Sequence, residues 1–159
     1  PPDIIIDEND NPAFLHVLSE NTPDEFNYHY VRFVDGEWKQ TIITPSNHKW
    51  NSCYLNLDKT GVLHAYLITG TKNKQKEKDM DRYGGGNIEK WCSYDKGESW
   101  EKVQDLTPKD AEFAGWKYNN IQPIKDPKGN IQDGMLLFYG WKDGEARSAK
   151  AFLLQNINQ

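Results

Sequence analysis

Ser93-Tyr94-Asp95-Lys96-Gly97-Glu98-Ser99-Trp100 is the stretch from which the rest of the chain becomes readable. It has the form S-x-D-x-G-x-x-W, and each fixed position has a local task. The Asp95 carboxylate can accept hydrogen bonds from the backbone N–H groups of the turn that follows it. Gly97 supplies the left-handed backbone that a tight turn needs. Ser93 ties the ends of the turn together, and Trp100 folds back to bury its ring against a neighbouring layer. Such a turn belongs between two antiparallel strands, so its residues read as structural rather than catalytic. A degenerate copy, Val34-Asp35-Gly36-Glu37-Trp38, keeps the glycine and the tryptophan.

Working outward, three segments share one plan. Each opens with a short apolar strand ending in aspartate: Asp7, Asp58 and Asp126. A turn of Asn, Gly or Pro follows (ENDNP, KTG, PKGN), and then a strongly apolar strand (AFLHVL, VLHAYLI, MLLFYGW). The first two segments go on to a third and a fourth strand, and the last stops after its third. No stretch has the three-and-four spacing of a helix with a core face. Repeated four-strand units of this length are the signature of propeller blades. The chain therefore reads as all-β, a portion of a β-propeller of about three four-stranded antiparallel blades carrying one Asp box. The blades are expected at 3–44, 53–107 and 119–159, the last incomplete. Propellers close with about four or more blades, so the remaining blades are expected from another chain or segment.

Composition narrows the function. Aromatic residues make up 13 % of the 159 residues, with six Trp and eight Tyr, and the formal net charge is −5. An acidic chain does not suit nucleic acid, whose phosphates need a basic face. No run approaches the ~20 apolar residues of a membrane-spanning helix. The first residues, PPDIIIDENDN, carry neither a charged n-region nor an apolar h-region, so no signal peptide is expected within the chain. Cys53 and Cys92 fall on the first and third strands of their blade, too far apart for a disulfide. No cofactor is required. A structural calcium or zinc ion is compatible with the composition, but Cys53, Cys92 and His64 lack the C-x-x-C or H-x-x-x-H spacing of a metal site. His16 and His64 are read as equivalent positions in the second strands of their blades, with a packing role.

In a four-stranded meander the loops alternate between two faces. The first-to-second and third-to-fourth turns share one face and are short here. The second-to-third loops and the links between blades share the other face and are long. Long loops on a rigid scaffold are where binding and catalysis reside. They carry His48, Trp50, Arg82, Tyr83, Trp116, Lys117 and Tyr118, a set suited to an acidic sugar. Trp50, Tyr83 and Trp116 would stack rings. Arg82 or Lys117 would pair with a carboxylate, and His48 and Tyr118 would move protons. All six of His48, Arg82, Tyr83, Trp116, Lys117 and Tyr118 are expected in one cleft. A hydrolase would instead use facing carboxylates, for which Asp24, Glu25, Asp110 and Glu112 lie on the same loops.

Several motifs together resemble the BNR-repeat, or Asp-box, propellers that include ulvan lyases and related rhamnose–uronate lyases and rhamnosidases. They are Asn47-His48 before an inner strand, Gly85-Gly86-Asn87, the Asp box, and Lys102-Val103-Gln104-Asp105-Leu106-Thr107. The resemblance covers most of the chain. Asn87 stands where an acidic residue is the pattern, and Asn119-Asn120 stand where basic residues are. The resemblance implies a secreted or periplasmic protein acting on an oligo- or polysaccharide. The leading expectation is β-elimination of a uronate-containing polysaccharide. A sialidase-like or rhamnosidase-type glycoside hydrolase and a non-catalytic carbohydrate- or protein-binding propeller are the alternatives.

Overall fold

The computed structural model describes residues 4–19, 25–70, 84–142, 145 and 148–157. Three antiparallel sheets follow one another along the chain. The first contains β1 (Ile4–Ile6), β2 (Pro12–Ser19), β3 (Phe26–Val34) and β4 (Glu37–Ser46) in the order β1-β2-β3-β4. The second contains β5 (Cys53–Leu57), β6 (Leu63–Thr69), β7 (Asn87–Ser93) and β8 (Glu101–Asp105), again in chain order. The third has β9 (Trp116–Lys125), β10 (Ile131–Lys142) and β11 (Lys150–Leu154). A single 3-10 turn, Ala111–Phe113, interrupts the link before β9. The first strands of successive sheets approach one another, β1 with β5 and β5 with β9. Meander sheets set side by side with their first strands together are the blades of a β-propeller.

The repeated aspartates explain why each blade starts the same way. Asp7 Oδ1 accepts the N–H groups of Asn9 (2.8 Å) and Asn11 (2.9 Å). Asp58 Oδ1 does the same for Thr60 (2.8 Å) and Val62 (3.0 Å), and Asp126 Oδ1 for Lys128 (2.8 Å) and Asn130 (2.9 Å). The fourth residue of each turn is left-handed: Asp10, Gly61 and Gly129. One carboxylate thus organises the first hairpin of every blade. These turns also fix the register of the second strands. His64 Nε2 sits 2.8 Å from Asp58 Oδ2. Six residues after Asp7 comes Ala13, not His16, which is exposed in mid-strand. The two histidines are not equivalent, because the aspartate and not the apolar run sets the alignment.

Side-chain alternation then builds two cores. Along β6, Leu63, Ala65 and Leu67 point into the first blade, where they meet Ala13, Leu15, Tyr28, Tyr30 and Ile43. Tyr66 and Ile68 point the other way, onto Tyr118, Ile121, Leu136 and Phe138 of the third blade. A strand covered on both faces is apolar throughout, and β6 is nearly all buried. Polar ties reinforce the first interface. The Tyr28 hydroxyl donates to the Ile68 carbonyl (2.9 Å) and accepts its N–H (3.2 Å). Arg32 donates to the Lys96 carbonyl (2.6 Å) and pairs with Glu98. Trp100 meets Tyr30 edge-on, their centroids 5.4 Å apart.

The Asp box closes the β7–β8 hairpin. Asp95 Oδ1 accepts the Ser93 hydroxyl (2.8 Å) and the Ser99 N–H (2.9 Å), and Oδ2 accepts the Ser99 hydroxyl. Gly97 donates its N–H to Ser93 Oγ (2.8 Å). In the copy in the first blade, Asp35 (φ 55°) and Gly36 (φ 83°) are both left-handed, as a two-residue type I′ hairpin requires. The outward faces of the first and third blades keep large apolar side chains in water: Ile4, Ile6, Trp38 and Ile42 at one end, Tyr139 and Leu153 at the other.

Candidate functional site

The link from β4 to β5, Asn47–Ser52, is polar, and its side chains satisfy one another's backbone. Ser46 Oγ donates to the His48 carbonyl (2.8 Å), and the Trp50 N–H donates to His48 Nδ1 (3.0 Å). The Asn51 amide donates to Ser46 Oγ (3.0 Å), while its oxygen accepts the Gly85 N–H (2.8 Å). Asn47 Nδ2 donates to the Gly85 carbonyl (3.0 Å). The glycines let these loops touch. A Cβ on Gly84, whose φ is +69°, would lie 2.6 Å from Asn51 Oδ1 and 2.8 Å from His48 Nδ1.

This packing corrects the expected cleft. His48 is only 7 % exposed, its ring nitrogen holding a backbone N–H that burial would otherwise leave unpaired. Tyr118 is fully buried, edge-on to Phe138 (5.6 Å) and Phe152 (5.5 Å), its ring lying against Gly140. Its hydroxyl has no hydrogen-bond partner among the described residues, and burial, then Asp110, push the phenol pKa up. Neither side chain is placed to exchange protons with a ligand. Trp116 is partly buried in the third blade, packed edge-on to Phe113 (5.2 Å) and Phe152 (6.0 Å), with Lys150 Nζ 5.5 Å over its ring. Lys117 is half-buried on β9, opposite Trp141. Arg82, Tyr83 and Asp24 lie outside the described residues. Glu25, Asp110 and Glu112 are exposed.

Trp50 has the opposite fate. Its backbone is pinned by His48, Lys49 Nζ lies 5.5 Å over its ring, and the side chain is 61 % exposed. It lines an open groove of about 590 Å³ together with Asn119, Asn120, Tyr139, Trp141 and Ala149. The groove runs between the link into the second blade and the β9–β10 end of the third, on the long-loop face. Trp141 is itself held against the β6–β7 loop: a Cβ on Gly85 would lie 2.7 Å from its Cη2. Three large aromatic side chains and the exposed Asn120 carboxamide, around a concave, half-open site, can stack flat rings and bind hydroxyls. Among the described residues picked out in sequence as a sugar site, Trp50 is the one that lines this groove. Tyr139, Trp141 and Asn120 lie outside that set, although strand alternation over 137–141 puts Tyr139 and Trp141 on one face.

On the opposite side of the second blade, Asp58, His64 and Cys92 form a hydrogen-bonded chain, with His64 Nδ1 3.2 Å from Cys92 Sγ. Burial works against ionising Asp58. The His64 ring, the Thr60 hydroxyl and the turn N–H groups outweigh it and hold the carboxyl far below its ordinary range. Cys92 is buried and its thiol is pushed up, which keeps it protonated. Both cysteines are free. Among the described residues no group of three His, Cys, Asp or Glu side chains is arranged to hold a metal ion.

No protein-family model matches the chain, and no curated protein does. Among solved structures, the endo-arabinase from Bacteroides thetaiotaomicron VPI-5482 matches at 13 % identity with a TM-score of 0.58. The match covers 97 % of this chain and 54 % of that one. The fold is shared. A protein of unknown function from Dyadobacter fermentans DSM 18053 matches at 14 % identity with a TM-score of 0.49, over 96 % of this chain and 36 % of that one. The chain thus spans about half the length of the endo-arabinase and about a third of the second protein.

Proposed function

We propose that the chain is part of a carbohydrate-recognising β-propeller, completed by further blades, with the Trp50–Tyr139–Trp141 groove as its saccharide site. One observation carries the reading: an exposed tryptophan, rigidly held at its backbone, faces a second tryptophan and a tyrosine across a half-open cavity. The flat C–H faces of sugar rings stack on such side chains, and the ring hydroxyls bind neighbouring amides. The shared fold of an endo-arabinase favours a glycan as the ligand.

Binding is the chemistry that the described side chains support. β-Elimination needs an acid, a base and a carboxylate neutraliser in contact with the sugar, and the burial of His48 and Tyr118 removes the first two from this groove. The test is titration calorimetry with a panel of oligosaccharides, followed by product analysis. We expect binding without turnover, and Trp50→Ala or Trp141→Ala weakening it about tenfold or more. A new unsaturated-uronate absorbance, or new reducing ends, would replace the binding reading by a lyase or a hydrolase. Unchanged affinity in both variants would remove the groove.

A further inference from the structure

The character of the groove is set by one irregularity in β9. Gln122 pairs with Leu137 and Asn119 with Tyr139, so Asn120 and Ile121 stand opposite Phe138 alone. This is a β-bulge, which bends a strand and re-aims its side chains. Asn120 takes the left-handed conformation, φ 57°, that asparagine tolerates better than most residues. The Asn119 carboxamide holds the bulge in place. Its oxygen accepts the N–H groups of Asn120 (2.9 Å) and Ser52 (2.8 Å), and its nitrogen donates to the Trp50 carbonyl (3.3 Å). Asn119 is buried and positions both Trp50 and the bulge, while Asn120 is exposed and lines the groove.

Resting on the saccharide-binding reading, we infer that Asn120 is the specificity-determining residue of the groove and that the groove takes neutral sugar units, not uronates. A carboxamide offers one acceptor and two donors in a plane, which matches a pair of adjacent sugar hydroxyls. It brings no charge to offset a carboxylate, and among the described residues no Asp, Glu, Lys, Arg or His side chain lines the groove. An anion moved there from water would lose hydration without gaining a charged partner among the described lining residues. Lys49, beside the groove, stands over the ring of Trp50 and does not line the cavity.

The test uses the full chain with neutral pentose and hexose oligosaccharides and with uronate oligosaccharides of matched length, at low and high salt. The wild type should prefer the neutral series, with little dependence on salt. Asn120→Gly keeps the left-handed backbone and removes only the carboxamide, so it should weaken neutral-sugar binding about tenfold with an unchanged melting temperature. Asn120→Asp should lose affinity as well, because a carboxylate cannot donate. Tighter binding of uronates that weakens with salt overturns the inference, and so does wild-type affinity in Asn120→Gly. If Trp50→Ala abolishes binding while Asn120→Gly does not, the groove stands and Asn120 falls. If no saccharide binds the wild type, both readings fall.

Discussion

At the scale of single residues, Asp95 carries the clearest consequence. Bonds from the Ser99 hydroxyl, the Ser99 N–H and the Ser93 hydroxyl lower its pKa to about 2. A carboxyl whose folded-state pKa lies below its unfolded value of ~3.9 stabilises the fold above that value. It loses the contribution as the pH falls through the folded value. Asp126, held mainly by Asn130, is shifted in the same direction. Thermal melts should therefore show stability falling between about pH 4 and pH 2. The gap between wild type and Asp95→Asn should be widest above pH 4 and close near pH 2. A gap that stays constant across that range would mean that the carboxylate's charge is not what the turn uses. The neighbouring glycine has a steric reason beyond its φ of +89°: a Cβ at position 97 would lie 2.1 Å from Tyr30 Cε1. The Asp box is thus fitted against the preceding blade as well as folded on itself.

Among the elements, β6 holds the molecule together, because its alternate side chains belong to two different cores. Leu67 is fully buried against the first blade. Leu67→Ala should cost about 2–5 kcal/mol in urea unfolding, as for other buried leucines. Tyr139, on the outward face of β10, should tolerate alanine with a change within about 0.5 kcal/mol. Equal losses for the two would contradict the assignment of faces. The strands were legible in the sequence because alternation and the three aspartate turns report directly on local geometry. The β4–β5 link was not. Ser46, Asn47, His48 and Asn51 are the residue types of a catalytic loop, and they are equally the types that satisfy a buried backbone. Only the fold distinguishes the two uses, and here the Trp50 N–H takes the imidazole nitrogen. Tyr118 is ambiguous in sequence for a related reason. Its phenol looks reactive in sequence, but the residues that bury it, Phe138, Gly140 and Phe152, are remote along the chain or across the sheet. Asn120 stands in sequence only as a departure from a basic pattern, while the bulge that aims it depends on pairing that no local pattern announces.

Across the whole molecule, the outward faces of the first and third blades carry exposed large apolar side chains, Ile4, Ile6, Trp38 and Ile42 on one and Tyr139 and Leu153 on the other. Exposed apolar sheet faces of this kind associate. Sedimentation of residues 1–159 should show reversible self-association, reduced by Trp38→Lys at one end or Leu153→Lys at the other. A wild-type chain that stays monomeric at high concentration would contradict that expectation. Leu153 shares the outward face of the third blade with Tyr139, which lines the groove, whereas Trp38 lies on the first blade, so Trp38→Lys is the change to combine with the saccharide test. The most direct measurement is the indole N–H region of a nitrogen–proton correlation spectrum, where the six tryptophans give separate signals, recorded during titration with a neutral oligosaccharide. The signals of Trp50 and Trp141 should shift together and saturably, while those of Trp38, Trp91 and Trp100 stay in place. Shifts confined to Trp38, or none at all across the oligosaccharide panel, would contradict the groove as the binding site.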